Sequence, residues 1–127
     1  MINVGRTQTD YRLVAALAAT MRQEFPTVFV IDVPRAINSI VVGTREPGSI
    51  DAFRANVAAL AKPELVQVAA TTADRICEYL PAGATPTAGS IPCAFAKGDA
   101  PPVFTDDLAP VEQVVDQILL GYIRENG

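Results

Sequence analysis

The 127-residue chain has no histidine. That removes the commonest general base and the commonest metal ligand, and excludes serine–histidine and cysteine–histidine nucleophile pairs within these residues. Basic residues are few and scattered, ten against fourteen acids for a net charge of −4. No lysine/arginine cluster interleaves with aromatics, so no nucleic-acid partner is expected. Apolar runs are short and interrupted, so no membrane insertion is expected. No basic stretch precedes an apolar one at the start, and a cytoplasmic location is the default expectation. Cysteine is limited to Cys77 and Cys93. They match no zinc or redox spacing and read as two reduced, mostly buried thiols, since a disulfide would be unusual in the cytoplasm.

What is present is hydrophobic enough to fold: half the residues are apolar and 19% are charged, within the range of globular domains. The chain is read as one domain in four stretches: a sheet portion (1–44), helices (49–80), a proline- and glycine-rich loop (81–104) and a C-terminal helix (105–127). Ile2 and Val4 end a short strand at Gly5. Thr9 and Asp10 supply a helix cap and a first-turn acid. Val14, Ala18, Met21 and Phe25 then recur at helical spacing, and Pro26 forces the helix to stop. Residues 27–33 (TVFVIDV) and 38–44 (NSIVVGT) are β-branched runs, hence strands. The link Pro34-Arg35-Ala36-Ile37 is too short for a crossover, so these two strands pair antiparallel, whereas the helix makes the first connection a parallel crossover. The expected class is α/β: a partial Rossmann-like sheet in β-α-β-β order, followed by three helices.

Ser49 reads as the cap of a helix with Ile50, Phe53, Val57 and Leu60 on one face. Pro63 opens another, with Leu65, Ala69, Ala73, Ile76 and Leu80 in register, although Val66, Val68, Thr71 and Thr72 favour strand locally. Five prolines and three glycines in residues 81–102 make a long loop, of a kind usually functional or mobile. Val111, Val115, Ile118 and Tyr122 form the last helical stripe, with Pro110 at its start.

Candidate chemistry is sparse. Thr105-Asp106-Asp107 and Glu112 offer carboxylates for a divalent ion, but lack calcium-loop spacing and suit a helix N-terminus better; no metal is expected. Gly5-Arg6-Thr7-Gln8-Thr9 runs from strand to helix, where parallel α/β sheets bind ligands, and Arg6 could meet a carboxylate or phosphate there. One glycine is not a nucleotide-binding fingerprint, and an ordinary turn explains the segment as well. Asp32 and Asn38 bracket the hairpin and could recognise an amine, or Asn38 could serve the turn alone. Arg6, Thr7, Gln8, Asp32 and Asn38 are therefore the ligand-binding candidates, with no catalytic residue among them. Tyr11, Tyr79 and Tyr122 read as amphipathic core residues.

The stretch MINVGRTQTDYRLVAALAATMRQEFPTVFVIDVPRAINSIVVGT resembles the C-terminal part of spermidine synthase-like proteins, the polyamine aminopropyltransferases. The shared elements are a strand ending in Asn-Val, a long helix leading to Glu24-Phe25-Pro26, a strand and a returning strand. The close TDDLAPVE is similar to an ending common in the bacterial branch, while residues 45–102 match only loosely. The resemblance implies a methyltransferase-type sheet in which residues 1–44 are the fifth strand, last crossover helix, and sixth and seventh strands, the last inserting antiparallel between the other two. It implies decarboxylated S-adenosylmethionine or S-adenosylmethionine for a complete relative, but no cofactor bound by these residues alone. The family's glycine-rich loop, acidic ribose ligand and catalytic aspartate belong to earlier strands. The family's polyamine loop, typically Ile-Pro-Thr-Tyr-Pro-Ser-Gly, corresponds here to residues 32–39, which lack its tyrosine and glycine and place Arg35 where a polycation would sit. The expected role is a non-catalytic fragment or one subunit of a split transferase. Because the chain starts on a strand internal to a complete sheet, a partner chain or second copy is expected at residues 1–4. A self-association module, or an unrelated small-ligand binder near Arg6 and Asn38, are the alternatives.

Overall fold

The computed structural model describes residues 1–96, 101–105 and 111–126. It contains β1 (Ile2–Gly5), α1 (Arg12–Glu24), β2 (Thr27–Asp32), β3 (Asn38–Thr44), α2 (Ile50–Ala58), α3 (Pro63–Ala73), β4 (Ile76–Glu78) and α4 (Val111–Asn126), with a 3-10 turn at Ala94–Ala96. The strand order is β1-β3-β2-β4, and every neighbouring pair is antiparallel. It follows that β1 and β2 run the same way, joined by α1, with β3 between them. The expected crossover and hairpin are both present.

Local chemistry explains most element boundaries. Phe25 takes extended backbone (ψ 130°) and closes α1 through its N–H to the Met21 carbonyl, as the following proline requires. Ser49 caps α2 by accepting the Ala52 N–H, and Pro63 occupies the first turn of α3. The cap of α1 differs from the expected one. Thr9 is not the cap: Asp10 Oδ1 accepts the Arg12 N–H at 3.0 Å, and Thr7 Oγ1 accepts those of Thr9 and Asp10. The helix starts two residues later than the sequence pattern suggests, with Tyr11 in the cap position and no cap bond from its side chain, so the Asp10 carboxylate just before it reaches the first free N–H.

The core lies between α1 and the sheet. Val14, Val28 and Val41 are fully buried and Val30 nearly so, each worth about 1.5–3 kcal/mol by removal from water. Ala15, Ala16, Ala18 and Ala19 on α1 keep the helix close to the strands. Gly43 serves the same fit: a Cβ there would lie 2.6 Å from the Phe25 ring. Phe29 of β2 and Ile50 and Val57 of α2 are buried outside that core cluster.

The second half departs from expectation in four places. The third helix stops at Ala73 rather than reaching Leu80, and Ile76–Glu78 form β4 on the free edge of β2. Leu65 is half-exposed, because α3 turns Ala73 inward instead. Leu60 falls beyond α2 and is exposed, and so is Tyr122, leaving Ile118 as the buried residue of the α4 stripe. Cys77 and Cys93 are not free thiols but a disulfide, with Cα atoms 4.9 Å apart. β4 carries Cys77 to the loop strand at Pro92, where Glu78 makes a parallel bridge, a proximity that spacing could not reveal.

This loop is built around Glu78, which is 2% exposed. Its Oε2 accepts both the backbone N–H and the hydroxyl of Thr87 at 2.8 Å, and its backbone bonds to Ile91 and Cys93. Residues 79–93 are thus an ordered clasp rather than a free loop. Asp106, Asp107 and Pro110 of the acidic stretch lie outside the described residues. Among the described residues, no helix is long and apolar enough to cross a membrane.

Tyr79, 5% exposed, has its phenol pKa raised by burial, and Tyr11 is raised chiefly by burial, then by its bond to Asp32. A raised folded-state value favours the neutral phenol, so this stability is complete below the unfolded tyrosine value of about 10 and is lost as pH climbs through the folded values. Tyrosinate absorbance and circular dichroism followed together should show unfolding on the alkaline side of that value, and Tyr79→Phe should move the transition to higher pH. An alkaline transition insensitive to Tyr79→Phe would rule this cause out.

Candidate functional site

The C-terminal ends of β1 and β2 meet the start of β3 at one corner of the sheet. There Arg6, Tyr11, Asp32 and Ser39 form a closed network. Ser39 donates its hydroxyl to Asp32 Oδ1 at 2.6 Å, and Tyr11 donates its phenol to Asp32 Oδ2 at 2.7 Å. Arg6 Nε donates to Ser39 Oγ at 2.9 Å and lies 3.3 Å from Asp32 Oδ1. Its guanidinium also stands 4.7 Å over the Tyr11 ring, a cation–π distance. The Arg6 side chain is 8% exposed and that of Asp32 43%, so the pair is half-open to water.

β pairing places these groups. Asp32 is opposite Ser39 on neighbouring strands, and Arg6, one residue past β1, bonds its N–H to the Ile37 carbonyl. Tyr11 comes from the turn before α1 and stacks on Phe95 at 4.8 Å. Cys93, two residues earlier, is held to β4 by the disulfide. The clasp therefore reaches the site.

Two concavities open here. One of 840 Å³ is mostly apolar, between residues 5–9 and the Val115, Ile118, Leu119 and Tyr122 side of α4. Its neighbour, 440 Å³, lies along the β2–β3 turn and is lined by Arg35, Arg75, Asp32 and Tyr11 among others. Arg6, Gln8 and Ile37 border both.

The five sequence candidates separate on this geometry. Arg6 and Asp32 are brought together, as partners of each other. Gln8 lines both cavities. Thr7 spends its hydroxyl on the turn and its carbonyl on Arg6, though it also borders the larger cavity. Asn38 is not among the lining of either cavity: its side-chain amide donates to Asn3 Oδ1 across the strands at 2.6 Å, and its backbone carbonyl accepts the Val33 N–H to close the turn. Tyr11 and Ser39 were missed, because a tyrosine at helical spacing and a serine in a strand look like packing until the strands are paired. Arg75 was missed because nothing local connects it to Arg35.

The corner can bind and orient, through fixed donors and exposed guanidiniums. Among the described residues no group of three metal-ligating side chains is placed to hold an ion. No protein-family model, curated protein or solved structure matches the chain.

Proposed function

We propose that these residues are the strand-five-to-seven portion of a spermidine synthase-like, S-adenosylmethionine-dependent transferase fold, acting as a structural and acceptor-side unit that does not catalyse alone. One observation carries the reading: β3 lies antiparallel between two co-directional strands joined by α1, the arrangement the resemblance implies for its last strands. The short β4, added outside β2, is not part of that pattern. No glycine-rich nucleotide loop occurs in the 127 residues, so donor binding would have to come from other sequence, on the same polypeptide or another. A cytoplasmic location, part of the same reading, sits against the Cys77–Cys93 bond, since disulfides persist mainly in oxidising compartments.

Calorimetry of the chain with S-adenosylmethionine and with its decarboxylated form should show no saturable heat. Stoichiometric binding of either donor by the chain alone would overturn the assignment of the donor side to other sequence.

A second reading is a self-association module. It is favoured by β1, which is last in the strand order, and by the exposed Leu119, Leu120 and Ile123 of α4. Light scattering on the same sample distinguishes it: a dimer stable to dilution supports the module, and a monomer at all concentrations excludes it.

A further inference from the structure

The smaller cavity holds more positive charge than the fold uses. Three arginines line it, Arg6, Arg35 and Arg75, against one acid, Asp32. Asp32 is already committed, to Arg6, Ser39 and Tyr11, and cancels one of the three guanidiniums. Arg35 and Arg75 have no hydrogen-bond or ion-pair partner for their side chains among the described residues. They come from separate elements, the β2–β3 turn and the turn between α3 and β4, yet face one concave surface.

Arg35 also stands at φ +59°, a left-handed conformation costing an ordinary residue about 1–2 kcal/mol and glycine almost nothing. An arginine is thus held at a turn position that glycine would occupy without strain. Two unpaired guanidiniums on one cavity repel each other, and an anion between them removes that repulsion. Guanidinium forks match carboxylate and phosphate oxygens in pairs.

The geometry points to this cavity as a site for an organic oxyanion, a carboxylate or phosphate held by Arg35 and Arg75, whose apolar body passes Ile37 into the larger cavity beside α4. Arg6, Gln8 and Ile37 border both halves, and Arg6 is held in place there by Asp32 and Ser39. The same charges repel a polyamine. The inference rests on charge placement and stands whether or not the transferase reading does.

The test is an amide chemical-shift titration of the full chain at low salt with phenyl phosphate, inorganic phosphate and spermidine. Phenyl phosphate should give saturable shifts in residues 35–37 and at Arg75, more tightly than inorganic phosphate, and spermidine should give none. The double variant Arg35→Gly with Arg75→Gln should bind phenyl phosphate at least about tenfold more weakly, since charged hydrogen bonds are lost. Arg35→Gly relieves the left-handed backbone and Arg75 is exposed, so the variant should keep the wild-type spectrum elsewhere. Unchanged affinity in that variant, absence of saturable shifts, or spermidine competing for the same residues would overturn the site. Equal affinity for the two phosphates would overturn the apolar extension.

Discussion

Reducing the Cys77–Cys93 bond is expected to lower the unfolding free energy by about 3 kcal/mol, the size predicted for a loop of this length by the chain-entropy argument. The sequence separation is 16, so the cross-link removes a substantial set of open conformations from the unfolded chain. The native clasp would keep its other ties, the Glu78–Thr87 bonds and the backbone bonds to Ile91 and Cys93. These are local and enclose a buried carboxylate, so they should hold less well once the loop can open. Thermal unfolding with and without reductant, checked against the double variant Cys77→Ser with Cys93→Ser, should show a midpoint lower by roughly 10 °C. The effect should reach the candidate site, because Phe95 follows Cys93 by two residues and stacks on Tyr11. Midpoints that coincide in both redox states would mean that the covalent link adds nothing to the clasp.

Asp32→Ala is expected to cost about 2–3 kcal/mol. The substitution strands three groups at once. Arg6, whose side chain is 8% exposed, loses its counter-charge; Ser39, fully buried, loses the acceptor for its hydroxyl; Tyr11 loses the acceptor for its phenol. The cost stays below that of a wholly buried pair because the Asp32 side chain is 43% exposed and water can enter to solvate the guanidinium. Asp32→Asn keeps an acceptor and should cost about 1 kcal/mol. Pairing Asp32→Leu with Arg6→Met should recover part of the loss, since removing both charges leaves no unpaired guanidinium, while the Ser39 and Tyr11 hydroxyls still lack their acceptor. Denaturant unfolding of the wild type and these three variants measures this directly. An Asp32→Ala cost no larger than that of an exposed surface substitution would show that the network does not hold the corner together.

Much of the first 60 residues was legible because its signals are local. Pro26 ends α1 through steric restriction of Phe25, Ser49 caps α2 through its own hydroxyl, and β-branched runs at 27–32 and 38–44 cannot avoid extension. The short link between those runs leaves only a hairpin. Beyond residue 73 the local signals misled. Ile76, Cys77 and Glu78 continue a helical stripe on paper, and become a strand because β2 has a free edge whose backbone groups they satisfy. The same pairing brings Cys77 to Cys93 and buries Glu78 against Thr87, none of which has a signature in spacing.

The candidate site divides in the same way. Arg6 and Asp32 stood out because a strand-to-helix turn and a hairpin are where such sheets gather ligands. That they would engage each other, with Ser39 and Tyr11 completing the network, depends on the register of β2 against β3 and on β1 lying alongside. Asn38 was drawn away by the same register, to Asn3. By itself the sequence determined an α/β chain with a crossover and a hairpin, without histidine chemistry or a nucleotide loop, since composition, β-branching and proline act within a few residues. Only the tertiary structure decided β4, the disulfide clasp and the three-arginine cavity, because each requires groups far apart in the chain to meet across paired strands.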